Sequence, residues 1–247
     1  MYPYIINLYD AVSKFEQLKK VAGFSEFARA KSTEIVFRDF IKKSKRPCQA
    51  LEIGPASGFI TEYLSSVLPL DGSCSLDLMD FSDGFLENTK EKKFNIREYL
   101  AFDITSHQDS FPIQEKYDII FFQEVLEHLV SPFVALDNIN SMLKTGGYLF
   151  LTIPNSGHWR RLYLEIFRQT KLTEPKTFLD THISELSTLG TIKLVTMAGF
   201  DVVNIDYYCS RYPFLKSLMS EQVGFLLKKA SAPSDRWKEL TNKVCER

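Results

Sequence analysis

Cysteine is sparse. Cys48, Cys74, Cys209 and Cys245 are the four in 247 residues, and no two of them form a C-x-x-C pair. That spacing signals neither a zinc site nor a disulfide framework, and it fits a reducing cytoplasm. Charge of one sign is lacking too, since Lys and Arg total 30 against 31 for Asp and Glu, for a net charge of -1. Without a strong net field nothing draws in a polyanion, and no nucleic acid is expected as a partner. The local basic run Lys42, Lys43, Lys45 and Arg46 reads more simply as a solvated helix end than as a nucleic-acid patch. No window of about 18 uninterrupted apolar residues occurs, and the N-terminus has no basic segment followed by an apolar one. Export and stable membrane insertion are therefore not expected. Internal repeats and low-complexity tracts are missing as well.

What is present suits one α/β domain. The chain is 45% apolar and 25% charged, enough to build a sizeable core at this length. Residues 1–46 carry apolar side chains at spacings of three and four and read as a helical preface. From Ala50-Leu51-Glu52-Ile53 the period shifts to short buried strands that alternate with helices. The strand candidates are Ser75 to Met79, Tyr99 to Phe102, Tyr117 to Phe122 (interrupted only by Asp118) and Tyr148 to Ile153. Such alternation predicts a mainly parallel sheet with right-handed helical crossovers. Ser131-Pro132 opens a helix whose apolar face is Phe133, Leu136, Ile139 and Leu143, and Lys144-Thr145-Gly146-Gly147 is expected to close it. Residues 156–183 carry aromatic and basic side chains without a strand signal and read as an inserted helical cover. A helix over Leu186 to Ala198 and strands over Val202 to Tyr208 and Val223 to Leu227 follow, the last pair short enough in its connection to be antiparallel. The expected organisation is a single domain: preface 1–46, cofactor-binding core 47–155, cover 156–183, C-terminal part of the sheet 184–230 and a peripheral tail 231–247.

The chemistry begins at Gly54-Pro55-Ala56-Ser57-Gly58, a turn between a buried strand and a helix. Small residues there let a ligand approach backbone amides at a helix N-terminus. A tight turn without a ligand is the plain alternative for the glycines, and a second element stands in register against it. The next strand ends at Asp80, 22 residues beyond Gly58, where an acidic residue grips ribose hydroxyls in dinucleotide sites. Phe81 follows and can lie against a purine or simply join the core. Asp103, at the end of the third strand, can accept the amino hydrogens of adenine or serve as a plain loop residue. The spacing Gly54-x-Ala56-x-Gly58 is too tight for the G-x-G-x-x-G of nicotinamide dehydrogenases.

These segments, with Met79-Asp80-Phe81-Ser82, Phe102-Asp103 and Tyr117-Asp118 through Leu126-Glu127-His128, resemble the class I methyltransferases over roughly residues 48–209. The resemblance implies S-adenosylmethionine as cofactor. It also implies a Rossmann-like, seven-stranded, mainly parallel sheet with helices on both faces and the last strand antiparallel. It places Glu52 near the methionine amino group, Gly54, Pro55, Ala56 and Gly58 in the cofactor loop, Asp80 on ribose with Phe81 beside it, Asp103 and Ile104 near adenine, and Gln123 and Glu124 in backbone contact after the fourth strand. Ala56 departs from the family's usual middle glycine.

The acceptor leaves a fainter trace. The fourth strand ends in Phe122-Gln123-Glu124, without the Asn/Asp-Pro-Pro-Tyr/Phe motif used on exocyclic or amide nitrogens. Leu126-Glu127-His128 is similar to a segment of small-molecule methyltransferases, including the O-methyltransferases of quinone biosynthesis. His128 is thus the candidate general base, with a loop-holding role as the plain alternative. No metal is expected, although Glu124, Glu127, His128 and His182 are also similar to the metal-binding set of small-RNA 2′-O-methyltransferases. Tyr2, Tyr4, Tyr9, Trp159, Tyr163 and Phe167, with His158, Arg160 and Arg161 at one rim, point to an apolar or aromatic small-molecule acceptor with a polar end. The expected reaction is methyl transfer to oxygen of that acceptor, ahead of nitrogen or carbon. Two alternatives stand beside it: a fold relative that uses S-adenosylmethionine for intramolecular cyclisation, and a non-catalytic cofactor-binding module. Homodimerisation is left open.

Overall fold

A computed structural model describes residues 24–44, 47–106, 116–159, 183–184, 186–208 and 215–230. The part of the preface within them is one helix, α1 (Phe24–Lys43). The chain then alternates through β1 (Cys48–Ile53), α2 (Phe59–Ser66), β2 (Cys74–Asp80), α3 (Asp83–Glu91), β3 (Tyr99–Ala101) and β4 (Tyr117–Gln123). A short 3-10 turn (Leu126–His128), α4 (Pro132–Met142) and β5 (Leu143–Pro154) follow, then α5 (Thr188–Met197), β6 (Phe200–Tyr208), α6 (Lys216–Met219) and β7 (Gln222–Lys229). The tail 231–247 and most of the expected cover lie outside the described residues, as do Tyr2, Tyr4, Tyr9, Arg160, Arg161, Tyr163, Phe167 and His182.

The seven strands form one sheet in the order β3-β2-β1-β4-β5-β7-β6. β1 to β5 run parallel, and β7 lies antiparallel between β5 and β6, as the resemblance implied. Both faces are covered, which is why β4 can be apolar at every turn of its period-two alternation. Ile119 and Phe121 point into one core with Phe37 of α1, Leu64 of α2 and Leu86 of α3. Ile120 and Phe122 point into the other, with Leu136 and Ile139 of α4 and Val195 of α5. Phe37 meets Phe121 edge to face at 5.2 Å between ring centroids, so α1 is packed onto the sheet by aromatic contact.

The charged interruptions of the strands are satisfied in place. Asp118 accepts from the Gln49 amide at 2.9 Å and from Lys144 Nζ at 2.7 Å. Asp77, fully buried on β2, takes both arms of the Arg97 guanidinium and the Tyr117 hydroxyl at 2.9 Å, with Lys116 Nζ 3.5 Å away.

Several expectations need correction. The fourth-strand crossover helix ends at Met142, and Leu143 already belongs to β5, where it pairs with Tyr117. Gly146 is left-handed, at φ 76°, but inside the strand: Gly146-Gly147 sit where the β4–β5 register shifts between Tyr117 and Ile119. A Cβ on Gly147 would stand 2.9 Å from the Lys144 carbonyl oxygen, so these glycines serve a bulge. Ser131 does flank the helix, with Pro132 at its first position, yet its hydroxyl makes no capping bond. Phe133, expected on the apolar face, is 40% exposed on the first turn of the helix, whose buried face is Ala135, Leu136, Asn138, Ile139 and Met142. The reading of the cysteines also changes. Cys48 and Cys74 begin adjacent parallel strands, register opposite one another and form a disulfide, a pairing across two strands that sequence spacing does not reveal.

Candidate active site

The C-terminal ends of the parallel strands are where an open α/β sheet offers a crevice, and β1 and β4, neighbours in the sheet, carry the central residues here. After β1 the backbone turns through left-handed conformations at Gly54 (φ 75°), Ala56 (φ 46°) and Gly58 (φ 75°). Gly54 donates to the Met79 carbonyl at 2.9 Å, and a Cβ on it would lie 2.5 Å from Val125 Cγ2. Glycine is therefore required at 54 by backbone conformation and by contact with the turn after β4. Ala56 takes a left-handed conformation without being glycine. Pro55 is buried, its carbonyl accepting from the Gly58 amide at 2.7 Å.

Glu52, at the end of β1, is 4% exposed and accepts from the Thr61 hydroxyl of α2 at 2.7 Å. Burial pushes its carboxyl up to about 7, against the Thr61 bond and the Arg29 charge. Asp80 closes β2, accepts from the Ser82 amide at 2.9 Å and is also held by the Phe81 and Ala56 amides. Burial raises its carboxyl against those bonds. Phe81 beside it is 76% exposed, so of its two readings the core role fails and an exposed aromatic face at the strand end remains. Asp103 is exposed and accepts from the Thr105 amide and hydroxyl at 2.8 and 2.7 Å, while Ile104 is buried with its carbonyl bonded to Asn138.

The end of β4 gathers the remaining groups. Gln123 is nearly buried, and its Nε2 has no hydrogen-bond partner among the described residues. The Thr33 hydroxyl of α1 lies 2.9 Å from Gln123 Oε1 and 2.8 Å from the Arg29 carbonyl, and with one proton it serves one of them at a time. Glu124 is held at φ 53°, a strained position for a side chain of this kind. It accepts from the Thr152 hydroxyl of β5 at 3.0 Å and stands 3.9 Å from Arg29 Nη1. Burial raises its carboxyl, with Arg29, Thr152, Gln222 and His128 acting the other way. His128, on the 3-10 turn, is about one-third exposed, and its Nε2 is 4.0 Å from Glu127 Oε1. Glu127 is buried, and its carbonyl accepts from the Ser184 amide, which ties the segment before α5 to this turn. Among the described residues no group of three or more His, Cys, Asp and Glu is arranged to hold a metal ion.

Sequence spacing did not find Arg29, Thr33, Thr61, Thr152 or Gln222. They arrive from α1, α2, β5 and β7, and polar residues on helices and strand ends give no local signal of the edge they will face. Together with Glu52 and Asp80 they make a donor and acceptor set that suits an adenosyl amino acid. A buried carboxyl suits the ammonium, a second carboxyl the ribose, and Arg29 Nε, buried without a hydrogen-bond partner among the described residues, can take a further acceptor.

The methyltransferase domain family matches residues 24–205. A malonyl-[acyl-carrier protein] O-methyltransferase of Ilyobacter polytropus is 27% identical over 136 residues, 55% of this chain and 49% of that protein. A hybrid PKS-NRPS synthetase of a Neonectria species is 33% identical over 109 residues, 42% of this chain and 3% of that one. The chain thus spans about half the length of the first relative and a small part of the second. Among solved structures, the CurJ carbon methyltransferase superposes with a TM-score of 0.62 at 21% identity, covering 81% of this chain and 54% of that one, a likeness of fold.

Proposed function

The chain belongs to the methyltransferase domain family, and on that premise we propose that it moves a methyl group from S-adenosylmethionine to an oxygen of a small-molecule acceptor. The observation that supports this best is the shared edge at which Glu52, the left-handed loop and Asp80 stand beside the His128 turn. S-adenosylmethionine, when bound, supplies an electrophilic methyl on a sulfonium sulfur. The chain's own work is then alignment, exclusion of water and removal of a proton. Glu52 takes the ammonium of the cofactor's amino-acid end, and the Gly54–Gly58 loop lets its polar tail approach the backbone. Asp80 takes the ribose hydroxyls, Phe81 lies against the purine, Asp103 with Ile104 receives the adenine edge, and Gln123 and Glu124 line the far wall.

His128 is the base in this reading. Its imidazole accepts the proton of the acceptor hydroxyl, with the Glu127 carboxyl 4.0 Å from Nε2. The acceptor is apolar or aromatic with a polar end, and Trp159, 44% exposed beside His158, is the aromatic of that set among the described residues. The matches favour neither cyclisation nor cofactor binding without turnover. No described helix is long and apolar enough to cross a membrane. We assign the enzyme to the cytoplasm.

Incubation with S-adenosylmethionine and a panel of phenolic, carboxylic and β-dicarbonyl acceptors tests the reading, with S-adenosylhomocysteine release as the signal and mass spectrometry to separate O-methyl from C-methyl products. His128→Ala should lower kcat by about a hundredfold while leaving S-adenosylhomocysteine affinity unchanged. Equal turnover in the variant rejects the base, and a C-methylated product rejects oxygen.

A further inference from the structure

The cofactor assignments above occupy the ends of β1 to β4 and leave the other half of the edge, where β5 ends and β7 begins, without a ligand. β7 runs antiparallel to β5, so its first residue, Gln222, stands at the same edge as the last residues of the parallel strands, opposite Pro154 of β5 and Tyr208 of β6. Gln222 is 7% exposed, and its amide nitrogen donates to the Glu124 carboxyl. That bond fixes which way the amide faces and leaves Oε1 buried, without a hydrogen-bond partner among the described residues. The β5 residues beside it do not serve it: the Thr152 hydroxyl is given to Glu124, and Pro154 has no amide hydrogen. Ser220, two residues earlier and no more than about 7 Å away along the chain, is fully buried, and its hydroxyl also lacks a partner among the described residues. The chain between them is held from the end of β5. There buried Asn155 donates through Nδ2 to the Ser217 and Ser220 carbonyls at 2.7 Å each, and through its backbone amide to the Glu221 carbonyl at 2.8 Å. A fixed pair of buried, unpaired groups, one that accepts and one that donates, is costly unless a ligand completes it.

We propose that Gln222 and Ser220 read the polar end of the methyl acceptor, and that this end is a neutral group of the primary carboxamide class, its N–H donating to Gln222 Oε1 and its carbonyl accepting from the Ser220 hydroxyl. Both readers are uncharged. Arg29, the cation beside Glu124, already faces that carboxyl at 3.9 Å, whereas a carboxylate on the acceptor would bring a negative charge against Gln222 Oε1. Tyr208, whose ring lies over Gly224 and leaves no room there for a Cβ, gives an aromatic neighbour for the acceptor's body. The inference rests on the methyl transfer proposed above and names the class of molecule that receives the methyl.

The test compares kcat/KM, with S-adenosylmethionine, for phenols that share a methylatable hydroxyl: 3-hydroxybenzamide, methyl 3-hydroxybenzoate, 3-hydroxybenzoate and 3-ethylphenol. Ratios between them within one protein do not depend on its affinity for the cofactor. Wild type should favour the amide over the ester by about tenfold, the effect of one hydrogen bond that the ester cannot give. Gln222→Met should bring that ratio to within about twofold of one. Ser220→Ala should lower amide and ester alike against 3-ethylphenol and leave the ratio between them, and it decides the matter if Gln222→Met does not fold. Equal use of amide and ester by wild type, preference for the carboxylate, or a Gln222→Met protein that melts like wild type and keeps the preference overturns the proposal. Turnover of none of these phenols by a protein that binds S-adenosylhomocysteine overturns it as well and leaves the cofactor reading standing. Failure to bind S-adenosylhomocysteine removes both.

Discussion

Glu52 is an ordinary strand-end glutamate in the sequence and an unusual acid in the fold. Burial moves its carboxyl from 4.5 to about 7. Below the lower value both folded and unfolded chains hold the proton, so nothing is lost. Between the two the unfolded chain has ionised while the folded one has not, and stability declines as pH rises. Above the upper value the full cost, about 3 kcal/mol, is present. Glu52→Gln should therefore flatten the fall in melting temperature across that interval in ligand-free protein, as followed by circular dichroism, and an unchanged slope would reject the shift. An ammonium bound beside Glu52 reverses the preference for the proton. Cofactor affinity should then rise with pH up to about 7, with proton release detectable by calorimetry in buffers of different ionisation enthalpy. The loop residues and Asp80 were legible in the sequence because spacing along one chain segment fixes them. Arg29 and Thr33 were not, since their partners Glu124 and Gln123 lie in another part of the chain and meet them through packing of α1.

At the scale of elements, the turn after β1 and the turn after β4 are built against each other. Gly54→Ala sets a methyl 2.5 Å from Val125 Cγ2 on a left-handed backbone. Steric strain and overpacking together should cost about 2–4 kcal/mol and displace the cofactor loop. Val125→Ala in the same protein should recover part of the stability in urea titrations, because it removes the clash but not the backbone strain. On β2, Asp77→Asn should cost about 2–3 kcal/mol, the low end for a broken buried ion pair, because Arg97 can still turn its guanidinium to solvent. The parallel strands and their crossovers were readable because a change of hydrophobic period is local. The glycine pair at 146 and 147 misled because glycine marks both a helix end and a bulge, and only the register of β5 against β4 distinguishes them.

For the whole molecule, two features among the described residues tie distant parts of the chain together, a disulfide outside the hydrogen-bond ladder of the sheet and a strand within it. One is the disulfide, which closes a loop between residues 26 apart and begins β1 and β2. In the chain-entropy account its removal by Cys48→Ala with Cys74→Ala should lower stability by about 3.5 kcal/mol. Wild type treated with a thiol reductant should unfold at the same urea concentration as that double variant, whereas a reductant without effect would show the bridge unformed in solution. This tie was invisible in the sequence because two cysteines that open adjacent parallel strands need share no motif. The other tie is β7, seated between β5 and β6. During synthesis β6 emerges with no place in the sheet, and β5 presents a bare apolar edge, until Gln222 to Lys229 have left the ribosome. Chains stalled or cut before that strand would keep the Gly54–Gly58 loop and Asp80 but lack Gln222 beside Glu124 and leave the edge of β5 bare, so one strand both seals the sheet and completes its working edge.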